Sequence, residues 1–96
     1  MKKSIKFKTV KEFGKFLGLS DVEMELIKQK KFMIEKLIKA RKAQGLSQSV
    51  LAKLCHTQQP AIARLESGLV SEVSLDFIAK VALILDVSLV VRRAAS

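Results

Sequence analysis

The spacing of apolar positions along this chain changes several times, and each change marks an element. Residues 1–8 have no periodic apolar face and read as a basic arm or a short extended segment. Val10, Phe13, Phe16 and Leu17 then recur at helical spacing up to Gly18, which predicts a short first helix. Ser20 followed by Glu23 is a capping-box pattern, and no Gly or Pro intervenes before Gly45, so a long second helix is expected to run to Gln44. On that helix Ile27, Ile34, Leu37 and Ile38 can line one face, while Lys28, Lys31, Lys39 and Lys42 face water or phosphate. Two short helices should follow, one carrying Val50, Leu51 and Leu54, the other Ile62 and Leu65 and closing at Gly68. Ser74 then caps an amphipathic helix of about three turns with Leu75, Phe77, Ile78, Val81, Ala82 and Leu85 as its apolar positions.

Beyond Asp86 the pattern becomes short and β-branched, and residues 87–92 are predicted as a strand. A lone strand in a helical chain needs a partner for its backbone donors and acceptors. The economical partner is the same strand of a second copy across a two-fold axis. The expected fold is therefore all-α, about five or six helices with a C-terminal dimerisation strand. Residues 1–18 form the arm and short helix, and residues 19–96 the domain proper.

Charge narrows the partner. Lys and Arg number 18 against 9 acidic residues, a formal charge of +9, which suits a polyanion or, less well, an anionic membrane surface. Thirteen of those basic side chains fall in residues 1–44, whereas the rest of the chain is nearly neutral, so a nucleic-acid partner would draw much of its electrostatic attraction from the first half. One cysteine excludes an internal disulfide, and with one histidine there is no cluster for a dedicated zinc site. No cofactor or metal is expected. The compartment reads as reducing and cytoplasmic, because the alternation of Ile5 and Phe7 with lysines leaves no signal-peptide core and no apolar run reaches 18 residues.

An enzyme is the class least compatible with these residues. The chain lacks a phosphate-binding glycine loop, paired acids in a plausible cleft and a nucleophile with a base. Cys55 reads as an apolar core position and His56 as a turn residue, while Phe13, Phe16, Phe32 and Phe77 sit at helical spacing among aliphatics and read as core or partner contacts.

Residues 46–68, from Leu46-Ser47-Gln48 to Leu65-Glu66-Ser67-Gly68, carry the functional signal. Leu46, Gln48, Leu51, Ala52, Gln59, Ile62, Arg64, Glu66 and Gly68 fall without a gap on the pattern of the phage-repressor helix-turn-helix, and the segment resembles the Cro/C1 or XRE family. The resemblance implies a lambda-repressor-like domain that binds double-stranded DNA at an inverted-repeat operator as a homodimer. Physical logic agrees with it. Ser47 can cap the first motif helix and leave Gln48 at the positive end of the helix, where a phosphate could lie. Ala52 is small enough for the second helix to cross closely. The outward positions of that helix are then Gln58, Gln59, Ala61 and Arg64. Gln59 suits adenine, Arg64 guanine or phosphate, and Ala61 a thymine methyl. Pro60 lies in the first turn, where its missing N–H costs nothing. Gln48, Gln58 and nearby lysines such as Lys53 are expected to set affinity, and Glu66 to be structural, bonded to backbone or a basic neighbour. His56 replaces the usual turn glycine and must either take a left-handed conformation or alter the turn. Thr57 replaces the usual apolar residue after it.

A wider resemblance runs along the chain. The segment from Lys11-Glu12-Phe13-Gly14 to Gly18-Leu19-Ser20, a long helix, the motif, Ser74-Leu75-Asp76-Phe77 and a terminal strand are similar in order to HigA-type antitoxins. That resemblance implies a small basic ribonuclease toxin of RelE/HigB type as a second partner, covered by residues about 10–27, and repression of the protein's own operon. A stand-alone phage or chromosomal regulator of the same family, and a protein-interaction module without specific DNA binding, are the competing readings.

Overall fold

The computed structural model describes residues 20–91, together with Glu12 and Gly18. Four α-helices and one 3₁₀ turn make up the described part: α1 (Asp21–Ala43), α2 (Gln48–Leu54), α3 (Gln59–Glu66), the turn Val70–Glu72, and α4 (Leu75–Leu85). Of the basic arm and the short first helix expected before Gly18, Glu12 alone is described, in helical conformation, and the rest lies outside the described residues.

The start of α1 is the capping box read in the sequence. Ser20 Oγ accepts from the Glu23 backbone N–H at 3.1 Å, and Glu23 Oε1 accepts from the Ser20 N–H at 3.0 Å. Asp21 and Glu23 lie in the first turn and Arg41 and Lys42 in the last, each charge at the helix end that favours it. Three helices end in the same way, with a residue in the left-handed conformation followed by a six-to-one hydrogen bond. At Gly45 (φ 71°) the Leu46 N–H donates to Arg41 C=O at 3.1 Å; at His56 (φ 55°) the Thr57 N–H donates to Ala52 C=O at 2.9 Å; at Asp86 (φ 59°) the Val87 N–H donates to Ala82 C=O at 2.9 Å. His56 therefore takes the left-handed conformation that a turn glycine would have supplied.

The core is one cluster drawn from every described helix. Met33, Ile34 and Leu37 of α1 meet Leu51, Ala52 and Cys55 at α2, Ile62 and Leu65 of α3, Val73, and Ile78, Val81, Ala82 and Leu85 of α4. Ile38 packs against this cluster, whereas Ile27 is only half-buried and lies outside it; Met24, nearer the start of α1, is buried but not part of the cluster, which α1 joins from Met33 onward. Phe32, expected in the core or at a partner contact, is 68% exposed on the side of α1 turned away from the cluster. Val50 and Leu54 of α2 are likewise exposed, leaving Leu51 as that helix's large buried side chain. Cys55 is fully buried, as its apolar reading implied, and burial pushes its thiol pKa up.

The strand predicted at 87–92 is not formed: among the described residues there is no strand, and residues 87–91 run as an extended tail without a ladder. Within it Val87 and Leu89 pack on the core, whereas the adjacent Val90 and Val91 are both exposed. The backbone groups find other partners within the chain. The Val87 N–H is taken by Ala82 C=O, and Ser88 C=O accepts from Lys36 Nζ at 3.0 Å. A β-branched run makes a strand only where another edge lies alongside, and the described residues offer none.

Candidate nucleic-acid interface

α2 and α3 are the two arms of the motif, joined across the His56 turn. Ser47 Oγ accepts from the Val50 N–H at 3.0 Å and so starts α2. This bond occupies the Ser47 oxygen as a helix cap. Gln58 is the N-cap residue of α3 in extended conformation, with no side-chain cap bond, and its amide is exposed. Pro60 sits in the first turn of α3 as expected. Ala52 is buried where the two helices cross, and Ile62 and Leu65 fasten α3 from below.

With those residues inward, helical geometry leaves Gln59, Pro60 and Arg64 on the outer arc of α3, all three exposed. Arg64 lies one turn beyond Pro60, and its guanidinium has no partner among the described residues. Ala61 is half-buried at the core-side edge of the arc. Ala63, which the sequence reading passed over, is half-buried between Gln59 and Arg64 on the arc itself. Lys53 is exposed but lies about 140° around α2 from Gln48, so these two do not share a face.

The residues brought closest are the two glutamines that open the helices. Gln59 Nε2 donates to Gln48 Oε1 at 2.8 Å, and Gln48 Nε2 donates to Glu66 Oε1 at 2.9 Å. Glu66 is in turn gripped by Arg41 of α1, with Arg41 Nε donating to Oε2 at 2.7 Å and Nη2 to Oε1 at 3.0 Å. Arg41 Nη1 also donates to Leu46 C=O at 2.7 Å, tying the same guanidinium to the link before α2. The pair is largely enclosed, with side-chain exposures of 11% for Arg41 and 9% for Glu66. Burial alone would push the Glu66 carboxyl upward, but the bonds from Arg41 and Gln48 and the charges of Arg41 and Lys42 outweigh it and hold the carboxyl below its ordinary range. The bond to Glu66 moves Arg41 the opposite way, further above its already high value.

Glu66 is thus structural, as its place in the motif suggested, and its basic neighbour is Arg41. Sequence reasoning gave Arg41 no role beyond its charge. Its partner is 25 residues away, and no local spacing joins the last turn of α1 to the end of α3. Nor did it foresee that Gln48, placed at a helix terminus for a phosphate, would bond the side chain placed to read a base.

The profile of the helix-turn-helix family matches residues 37–91, a stretch that takes in the last two turns of α1, both motif helices, α4 and the tail. No curated protein and no solved structure matches the chain.

Proposed function

The chain belongs to the helix-turn-helix family of Cro/C1 (XRE) type, a family of DNA-binding transcription regulators, and from that premise we propose that it is a sequence-specific repressor that occupies its own promoter. The observation that carries this reading is the outer arc of α3, where the Arg64 guanidinium stands exposed and the exposed Gln59 is bonded to Gln48, on a helix whose Ile62 and Leu65 are buried in the core. Gln59 suits the N7 and N6 groups of adenine, and Arg64 suits guanine or a phosphate. Gln48 and Gln58 at the two helix N-termini supply contacts to the DNA backbone, with Ser47 capping α2 beside Gln48 and Lys53 adding positive charge from another face of α2.

A homodimer on an inverted repeat fits this role, with recognition helices about 34 Å apart in successive major grooves. The surface that supports it is the open groove of ≈ 630 Å³ between Met33, α4 and the tail. Leu83 beside it is 82% exposed, and Val90 and Val91 are 62% and 65% exposed. Apolar surface of this kind is favourably covered by a second copy.

We assign the antitoxin role to the other end of α1. Val22 and Leu26 are one turn apart on that helix, within the region expected to meet a toxin, and are 77% and 37% exposed. A small basic ribonuclease of RelE/HigB type encoded beside this gene would be the partner.

Titration of the purified protein against the DNA upstream of its own gene, over a range of salt and with an unrelated duplex as control, tests the central reading. Tight binding to the upstream DNA, lost in Gln59→Ala and Arg64→Ala with folding intact, is the expected result. Equal, salt-sensitive binding to both duplexes would reduce the protein to a basic interaction module. Co-purification with the neighbouring gene product, weakened by Val22→Asp, separates an antitoxin from a stand-alone regulator.

A further inference from the structure

The tail beside α4 is one edge of a ladder without the other. Residues 87–91 are extended and rich in β-branched side chains, yet the backbone N–H and C=O groups of Leu89, Val90 and Val91 have no partner among the described residues. The groove that the tail borders is apolar, with Asp76 and Asp86 as the only charged side chains among the described residues that line it. These two carboxylates stand at the start and the end of α4, about 15 Å apart. Neither has an ion-pair partner among the described residues. A complementary pattern opens the chain. In Lys2-Lys3-Ser4-Ile5-Lys6-Phe7-Lys8, which lies outside the described residues, Ile5 and Phe7 alternate with lysines at the period of a strand.

We propose that residues 2–8 of a second copy add to the tail as its missing strand, with Ile5 and Phe7 entering the groove and the lysines meeting Asp76 and Asp86, so that each subunit is held by the other's arm. The proposal rests on the reading that two copies meet at this groove. Charge favours the arm over bare contact between two grooves. Grooves set face to face would gather four carboxylates with no cation to offset them, since neither lysine nor arginine is among the described residues that line them. An arm with four lysines and no acidic residue removes that repulsion. Length agrees as well. The six steps from Lys2 to Lys8 span about 20 Å of strand. That places a lysine near each carboxylate, with its flexible stem lying over apolar surface. Residues 9–19 form the link to α1, about 36 Å at full extension. Exchange of the two arms about a two-fold axis uses the same contact twice and closes the pair.

Sedimentation equilibrium of the full chain tests the exchange, comparing the wild type with the double variant Ile5→Asp, Phe7→Asp. The expected result is a wild-type dimer whose dissociation constant rises about tenfold or more in the variant, with the helical circular-dichroism spectrum unchanged. A wild type that stays monomeric at every concentration removes the dimer reading and the proposal with it. A variant that dimerises as tightly as the wild type overturns the proposal alone and leaves the dimer standing. Cross-linking then fixes whose arm is bound. Unlabelled Phe7→Cys protein, mixed with ¹⁵N-labelled Val91→Cys protein and oxidised, is expected to yield a disulfide that joins position 7 of one copy to position 91 of the other, identified by peptide mass. The proposal is also overturned if that bond is missing from the mixture but closes within single chains of the double variant Phe7→Cys, Val91→Cys, since the arm then folds onto its own subunit.

Discussion

At the scale of single residues, the most consequential side chain is Arg41, which joins α1 to the carboxylate of Glu66 and to the carbonyl of Leu46. Removing Arg41 leaves the largely enclosed Glu66 carboxylate with only the Gln48 amide as its bonded partner among the described residues. Arg41→Met is therefore expected to lower the unfolding free energy by about 3 kcal/mol, measured by urea denaturation. The pH dependence has a definite sign. Glu66 ionises below its ordinary range in the folded protein, so its contribution is fully present above that range and is lost as the pH falls through the folded value. Stability should stay level from pH 8 to about 5 and decline in acid, and Glu66→Gln should flatten part of that decline. The Glu66 reading was available from the motif. Its partner was not, because contact between positions 41 and 66 exists only once α3 has packed beneath the end of α1.

At the scale of elements, the helix ends show how far local signals reach. Ser20, Ser47 and Ser74 cap the helices they were expected to cap, since a capping side chain bonds a backbone N–H only three residues away. Gly45 closes α1 for an equally local reason. His56 and Asp86 close α2 and α4 in the same left-handed conformation without the freedom of glycine, and His56 holds it at the centre of the motif. His56→Gly should raise stability by about 1 kcal/mol, read as an increase in melting temperature of roughly 5 °C. His56→Val should lower it, because a β-branched residue is strained at positive φ. The terminal run 87–91 is the complementary case. Its composition favours a strand, but a ladder needs a second edge, and the tail instead lies against α4 with its first N–H already taken by the Ala82 carbonyl.

At the scale of the whole molecule, a cluster drawn from four helices holds α3 in place while α4 and the tail leave Leu83, Val90 and Val91 in water. If those residues meet their copies in a dimer, one charge among them should separate the subunits without disturbing the core. Leu83→Asp is expected to shift sedimentation equilibrium from dimer to monomer with an unchanged helical circular-dichroism spectrum. It should also weaken binding to an inverted repeat by about a hundredfold or more, because the second half-site would no longer be engaged intramolecularly. A dimer that persists in this variant would place the two-fold axis elsewhere on the molecule.

The sequence by itself determined the helical class, the helix starts at Ser20, Ser47 and Ser74, the motif at 46–68, and the exposure of Gln58, Gln59 and Arg64. Each of these follows from periodicity, capping or a contiguous pattern, which are properties of neighbours along the chain. Only the tertiary structure decided that Gln48 faces Gln59, that Arg41 anchors Glu66, that Phe32 and Ile27 stay outside the core, and that residues 87–91 form a tail rather than a strand. Those outcomes depend on which surfaces meet when α1 crosses the motif and α4, and a hydrogen bond or a buried contact between distant residues has no spacing that announces it beforehand.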